Sequence, residues 1–210
     1  MGYRQCEYEN YEYKQVKDNK SILGATIDSR VRECVHKENH YIKIKEKKSN
    51  YYRDFEKIYE YKCSYCGINT AINATALCEV DHFVNEKQQK LEDGRTVNHI
   101  ENLVFSCRKC NQAKKAFDTM QHIKLVHPDE GQLSTIFKRN QKYEIVISDG
   151  HREDIFIKQF YEKMQFSNPF RKIDYLLLNL HYMKDFESEQ FGDILKSLYI
   201  KLVEYRNRNL

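Results

Sequence analysis

The chain has 210 residues, of which 35 are lysine or arginine and 31 are aspartate or glutamate, so its formal net charge is +4. A charge this small excludes a histone-like polycation, and any grip on nucleic acid must therefore come from local basic patches. The length allows one large domain or a small catalytic module with helical extensions. No apolar run is long enough for a membrane span. The seven cysteines, without an apolar N-terminal segment, predict a reducing, cytoplasmic location without disulfides.

Residues 1–60 are predicted to form a helical N-terminal extension. Apolar and aromatic positions within residues 21–61 recur at helical spacing and suit two helices. Ser49 or Asn50 is the expected N-cap of the second helix, because either side chain can accept a bond from an unpaired amide of the first turn.

Residues 61–118 contain two C-x-x-C pairs, Cys63/Cys66 and Cys107/Cys110. Zinc holds four thiolates in a tetrahedron, and each C-x-x-C turn presents two sulfurs to one side of the metal. The two pairs therefore predict a structural zinc site. The gap between them is about twice the 15–20 residues usual in a zinc ribbon, which indicates that the intervening chain has a further role.

The intervening chain carries Asp81 and His82 directly after the mostly apolar residues 75–80. This pattern predicts a short strand that terminates at the pair, which leaves both side chains free to face one cleft. Asp81 and Asn111 offer oxygen ligands that suit Mg²⁺ or Mn²⁺. His82, with an ordinary pKa of about 6.5, suits a general base near neutral pH. Hydrolysis of a phosphodiester requires these groups.

These residues resemble the cysteine-bearing branch of the HNH endonucleases, which have a ββα-metal fold. The pattern of that branch is matched by Cys63-x-x-Cys66, Asp81-His82, Asn102-Leu103 and Cys107-x-x-Cys110-Asn111-x-x-Lys114. Many members have His in place of Asn111, and residues 83–100 lack the usual Pro and paired Gly. The resemblance implies an α+β fold, in which a ββα-metal module with structural zinc is flanked by N- and C-terminal helices.

The resemblance further implies a metal-dependent endonuclease that hydrolyses phosphodiester bonds of nucleic acid, with DNA favoured over RNA as substrate and Mg²⁺ or Mn²⁺ as catalytic cofactor. It also implies that Asn102 holds the His82 ring in its working orientation through a backbone or side-chain contact. The alternative is a non-catalytic zinc module that binds nucleic acid or protein, in which Asp81 and His82 are structural.

A basic cluster without an acidic residue lies in the stretch 108–115 and is expected to contact phosphates; it consists of Arg108, Lys109, Lys114 and Lys115. If a helix starts at Asn111, a phosphate bound near its N-terminus would lie beside Lys114 and Lys115. The alternative is a solvated helix face.

Residues 119–210 are predicted to be mainly helical, with one strand at 143–147 and a turn at 148–150. Two amphipathic helices follow, marked by apolar residues at helical spacing: Ile173, Leu176, Leu177 and Leu180, then Phe191, Ile194, Leu195, Leu198 and Leu202. We expect them to pack back on the module; a face for a protein partner is the alternative. This layout loosely resembles the HNH subunit of Septu-type antiphage systems, which implies an antiphage role beside a partner ATPase.

Overall fold

The computed structural model of the protein describes residues 3–4, 14–30, 39–72, 77–183 and 189–209. The α-helices in these ranges are α1 (Lys14–Arg30), α2 (His40–Ile44), α3 (Asn50–Ile58), α4 (Arg108–Lys114), α5 (Ile123–Val126), α6 (Leu133–Ile136), α7 (Ile155–Lys163), α8 (Pro169–Met183) and α9 (Glu189–Arg208). The strands are β1 (Cys78–His82), β2 (Leu103–Cys107), β3 (Phe137–Arg139) and β4 (Ile145–Ile147). This mixed architecture confirms the predicted α+β class.

Strands β1 and β2 form an antiparallel hairpin, and α4 begins directly after β2, so that the order is β-β-α. Cys78 lies opposite Cys107, and His82 lies opposite Leu103. All of β2 and most of β1 is buried, because both faces of the hairpin are covered. Helix α3 covers one face through Tyr52 and Tyr59, whose ring centroids lie 6.2 and 6.3 Å from that of Phe105. Helix α4 covers the other.

The N-terminal extension contains α1, α2 and α3, whereas the sequence predicted two helices. Helix α1 begins at Lys14, before the predicted start, and residues 31–38 lie outside the described ranges. The N-cap of α3 is Ser49, whose Oγ accepts a hydrogen bond from the Tyr52 amide at 3.1 Å. The predicted cap is therefore confirmed.

One hydrophobic core runs through all three predicted segments. It contains buried residues from Tyr3 to Phe166, including Tyr52 of α3, Phe105 of β2 and Phe160 of α7. The predicted segment boundaries after residues 60 and 118 therefore divide the chain in sequence without separating independent cores.

In the C-terminal region, α8 and α9 lie where the apolar spacing predicts them, and β4 pairs with β3. Arg206 of α9 bonds Asp174 of α8 at 2.7 Å in a largely buried ion pair. However, Ile194 and Leu198 are 64% and 49% exposed, so the expectation that they pack on the module is wrong for these two. The side chain of Phe191 lies outside the described part of the chain. No helix in the described ranges is long and apolar enough to cross a membrane.

A buried ion pair joins α1 to the chain that follows α5. Lys20 Nζ lies 2.6 Å from Asp129 Oδ2 and also donates to the carbonyl oxygen of Leu103 at 2.8 Å. Tyr59 donates its hydroxyl to the same carboxylate at 3.0 Å. Burial lowers the pKa of Lys20, opposed by the attraction of Asp129. The pair therefore stabilises the fold only while both partners are present.

This pair has a matched exposed counterpart three residues away, between Lys17 and Glu130 at 2.8 Å. We expect Lys20→Met to lower the free energy of unfolding by about 3–5 kcal/mol, because it leaves the Asp129 charge buried without its lysine partner. Lys17→Met should change it by less than about 1 kcal/mol. Urea denaturation of both variants measures the difference, and equal effects would contradict the assignment.

Candidate functional site

The four cysteines of the two C-x-x-C pairs converge. Their Sγ atoms all lie within 4.8 Å of one another, and all four residues are buried. The Sγ atoms of Cys66 and Cys107 are 3.9 Å apart. Two sulfurs bonded to one tetrahedral zinc at about 2.3 Å would be about 3.8 Å apart, whereas a disulfide requires about 2.05 Å. The donor set therefore fits a zinc ion, in agreement with the prediction.

A tight turn presents the first cysteine pair. The Gly67 amide donates to the Cys63 carbonyl at 2.8 Å, and the Cys63 amide donates to the Ile68 carbonyl at 2.9 Å. Gly67 has φ +77°, and a Cβ there would lie 2.2 Å from the Arg4 carbonyl oxygen, so that only glycine fits. The second pair spans the junction of β2 and α4. A bound zinc would thus tie this turn to the end of the hairpin and to α4.

Arg171 of α8 supplies positive charge beside the cysteines. Its side chain is buried, and Nη2 donates to the Met164 carbonyl at 3.0 Å. Burial disfavours the charged form, but the charges of the cysteines outweigh it and keep the pKa of Arg171 well above its usual value. A zinc ion with four thiolates has a net charge of about −2. Arg171 is therefore placed to offset that charge.

Asp81 and His82 are the last two residues of β1, so the strand ends at the pair as predicted, but both residues still lie within the paired strand. Positions 75 and 76 of the predicted strand lie outside the described residues. Hydrogen bonding to β2 extends the strand through His82, opposite Leu103. Adjacent residues of a strand point to opposite faces, so the two side chains do not face one side.

Asp81 lies on the face of β1 that α4 covers. It is 5% exposed; Oδ2 accepts a hydrogen bond from the Tyr65 hydroxyl at 2.7 Å, and Oδ1 lies 3.3 Å from Lys114 Nζ. Burial raises the pKa of Asp81 to about 6, against the opposing effects of Lys114 and Tyr65. The carboxyl group is thus held in a polar pocket with little access to water.

Glu79 lies on the same face as Asp81, two residues earlier. Its Oε2 accepts from Asn111 Nδ2 at 2.7 Å, and its Oε1 accepts from Arg108 Nε at 2.9 Å. Helix α4 therefore brings Asn111 to the side of β1 that carries Asp81, as a shared metal site requires. The sequence analysis did not assign a role to Glu79. The two-residue spacing from Asp81 is the signal that could have identified it.

The four predicted phosphate contacts divide into two residues that bond carboxylates of β1, Arg108 and Lys114, and two that do not, Lys109 and Lys115. Lys114 is 0% exposed and donates to the carbonyl oxygens of His82 at 2.8 Å and Phe83 at 3.2 Å. It fixes the end of β1, and this burial argues against the predicted phosphate contact. Arg108 pairs with Glu79. The remaining two, Lys109 and Lys115, are exposed.

His82 lies on the other face of β1, in contact with groups that sequence analysis missed. Its Nε2 is 2.8 Å from Asn98 Oδ1, and its ring centroid is 4.2 Å from that of Tyr41. Burial lowers the pKa of His82, so that the ring is neutral at pH 7. The Asn98 oxygen assigns the ring proton to Nε2. The unprotonated nitrogen is then Nδ1, which lies 3.6 Å from the exposed Glu86.

Asn102 does not contact His82, so the predicted direct contact is wrong. Its Oδ1 accepts from the Val84 amide at 2.8 Å, and its Nδ2 donates to the carbonyl oxygens of Val84 at 2.9 Å and Val97 at 2.8 Å. These bonds tie together the ends of the loop that precedes Asn98. Asn102 therefore helps to fix the loop that leads to Asn98. Asn98 itself lies in a polar loop without a periodic pattern that would single it out.

An open cleft of about 430 Å³ runs beside β1 on the edge away from β2. Asn111 and Glu79 reach it from the α4 side, and Tyr41, whose ring covers His82, reaches it from the other side. Lys45 and Lys47 also line it. Residues from both faces of β1 therefore line the same cleft.

A sequence model described as HNH endonuclease matches residues 63–117 of the chain. The match contains the four converging cysteines and residues Asp81, His82 and Asn111. Residues 63–117 therefore form an HNH endonuclease domain. Membership of this domain in the HNH family indicates metal-dependent nuclease activity. No curated protein and no solved structure matches the chain. The looser resemblance to a Septu-type subunit gains no support.

The converging cysteines predict the effect of removing one ligand. Because structural zinc contributes about 10 kcal/mol or more to small folds, Cys110→Ser should lose zinc and unfold the HNH domain, and Cys63→Ser should do the same. Cys78→Ser is the matched control, since Cys78 is equally buried but lies outside the cluster. Elemental analysis and thermal melting measure both effects. Wild-type protein that folds without zinc would contradict the assignment.

Proposed function

We propose that this protein is a metal-dependent endonuclease that hydrolyses phosphodiester bonds of nucleic acid. The observation that carries the proposal is the β-β-α unit, which places Asp81 and Asn111 on one side of β1 and His82 on the other. Asn111 lines the cleft, and so does Tyr41, which packs against the buried His82. A zinc centre needs none of these three polar residues. Their placement together is what phosphodiester hydrolysis requires.

The oxygen ligands suit a hard divalent cation. A carboxylate and a carboxamide oxygen are typical ligands of Mg²⁺ or Mn²⁺. Tyr65 and Lys114 use two of the about four lone-pair sites on Asp81. Asn111 bonds Glu79 through its Nδ2, which leaves its carbonyl oxygen out of that bond. A divalent cation held by Asp81 and Asn111 would neutralise charge on the phosphate during hydrolysis.

His82 is proposed as the general base. Asn98 holds its Nε2–H, so Nδ1 is the atom that takes a proton from the attacking water. Burial lowers the pKa of His82 and keeps that nitrogen unprotonated at neutral pH. The Tyr41 ring packs against the His82 ring, whereas Nδ1 lies 3.6 Å from the exposed Glu86. Asn102 is proposed as a positioning residue, acting through the loop that carries Asn98.

The substrate is proposed to enter along the open edge of β1, where Lys45 and Lys47 can contact phosphates, although Glu46 and Glu79 line the same cleft. The preference for DNA over RNA and an antiphage role with an ATPase partner rest on family resemblance alone. The proposed chemistry depends on none of these.

One set of contacts favours the second candidate function, a non-catalytic zinc module that binds nucleic acid or protein. Asp81 is engaged by Lys114 and Tyr65, and His82 is 6% exposed, as expected of polar residues that stabilise a fold. A nuclease breaks phosphodiester bonds of nucleic acid, whereas a binding module does not. A cleavage assay therefore distinguishes the two candidates.

The test is incubation of the purified protein with plasmid, single-stranded DNA and tRNA, in Mg²⁺, Mn²⁺ or EDTA. If His82 takes the water's proton, His82→Ala should lower the cleavage rate by about 10²-fold to 10⁴-fold while zinc content is retained. His151→Ala, at a histidine in the 3₁₀ turn after β4, is the control and should cleave normally. Wild-type cleavage by His82→Ala would remove this residue from the mechanism.

The catalytic cation should exchange far faster than zinc, because oxygen ligands hold Mg²⁺ weakly. Brief EDTA treatment should therefore abolish cleavage before zinc is lost, and added Mg²⁺ should restore it. Asn111→Ala should lose Mn²⁺ binding by calorimetry, as well as cleavage, yet keep its melting temperature within a few degrees. Asp81→Asn is preferred to Asp81→Ala, because it retains a hydrogen-bonding group opposite Lys114. Cleavage that continues in EDTA would favour the binding-module candidate.

A further inference from the structure

A second open groove, of about 540 Å³, lies between α4 and the start of α8. One wall is the outer side of α4, with Lys109, Gln112 and Lys115. The opposite wall comes from Gln165, Asn168 and Phe170, which lie outside the residues that match the HNH family. Gln112 directly follows Asn111, and successive residues of a helix are about 100° apart. The groove therefore lies next to the cleft around the axis of α4.

The two lysines of the groove differ from their neighbours on α4. Arg108 and Lys114 are paired with carboxylates of β1. Lys109 and Lys115, by contrast, make no ion pair with any residue that the structure describes. None of the described residues that line the groove is acidic. The groove thus presents positive charge that is not neutralised within the described chain.

The side chains between these lysines suit a nucleobase. Lys109 Nζ lies 3.9 Å from the ring centroid of the half-buried Phe170, so charge and aromatic surface occur at one point. Three carboxamides, from Gln112, Gln165 and Asn168, line the same space. Bases stack on aromatic rings, and amides can bond their edges, whereas lysines bind the phosphates between them. A duplex, whose bases are already stacked and paired, presents no free base to Phe170.

We propose that this groove binds an unpaired nucleotide segment that continues the substrate strand beyond the cleft. Lys109 and Lys115 hold its phosphates, and Phe170 stacks on one base. The inference rests on the proposed function and adds a substrate class to it, which is nucleic acid with a single-stranded stretch beside the cleavage position.

The test is fluorescence anisotropy of the full-length protein, without divalent cation, on a labelled 12-nucleotide single strand and on the duplex of the same sequence. Lys109→Ala and Lys115→Ala should each weaken single-strand binding severalfold. Each should also lower the slope of log affinity against log salt by about 0.7. Lys142→Ala, at an exposed lysine near β4 and outside the groove, should match the wild type.

Variants of Phe170 distinguish the contribution of stacking to binding from that of charge. Phe170→Leu should weaken single-strand binding about tenfold and leave duplex binding unchanged, whereas Phe170→Tyr, which keeps an aromatic ring, should bind like the wild type. Zinc content is measured for each variant. Because Lys109 precedes a zinc ligand, Lys115→Ala decides the charge effect if Lys109→Ala loses zinc.

The groove proposal is overturned if Lys115→Ala behaves like Lys142→Ala, or if Phe170→Leu affects the duplex as much as the single strand. If the wild type cleaves nucleic acid while these results are obtained, only the groove proposal fails. If the wild type neither binds nor cleaves nucleic acid, the proposed function fails as well.

Discussion

The four-cysteine cluster is the constraint on which the arrangement of the site depends. Two strands of five residues and a helix of seven are each too short to be stable alone. A zinc ion bound by the cysteines would hold Cys110, in the first turn of α4, against Cys107 at the end of β2 and against the turn that carries Cys63 and Cys66. Asn111 directly follows Cys110, and Lys114 follows one turn later. The metal therefore sets which residues of α4 meet β1.

The position of α4 against β1 explains why the carboxyl group of Asp81 remains buried in the hairpin. Taking Asp81 out of water is costly, and its raised pKa records this cost. Lys114 from α4 and Tyr65 from the first cysteine turn offset part of it, so both partners come from segments that the cluster joins. The same position of α4 pairs Arg108 and Lys114 with carboxylates of β1, whereas Lys109 and Lys115 make no such pair among the described residues. Site electrostatics and zinc binding are consequently parts of one arrangement.

Features set by local pattern were predictable from the sequence. The cysteine spacing identified the metal cluster, Ser49 identified a helix start, and apolar periodicity identified α8 and α9. Features set by tertiary contacts were not. That His82 stays within the paired strand depends on its partner Leu103, and the burial of Lys114 depends on where α4 packs. The contact between Asn98 and His82 depends on a loop that Asn102 closes. Each of these requires residues distant in the chain.

The residues outside the HNH match determine how the site is closed and extended. Tyr41, from α2, covers His82, although it lies outside the residues that match the family. In α8, Arg171 offsets the charge of the cysteines, and the preceding Phe170 lines the groove beside Lys109. Because these two are adjacent on one helix, a change in the position of α8 would alter the groove and the surroundings of the zinc centre together. The flanking helices are therefore part of the site, and residues 63–117 alone would lack both its cover and one wall of its groove.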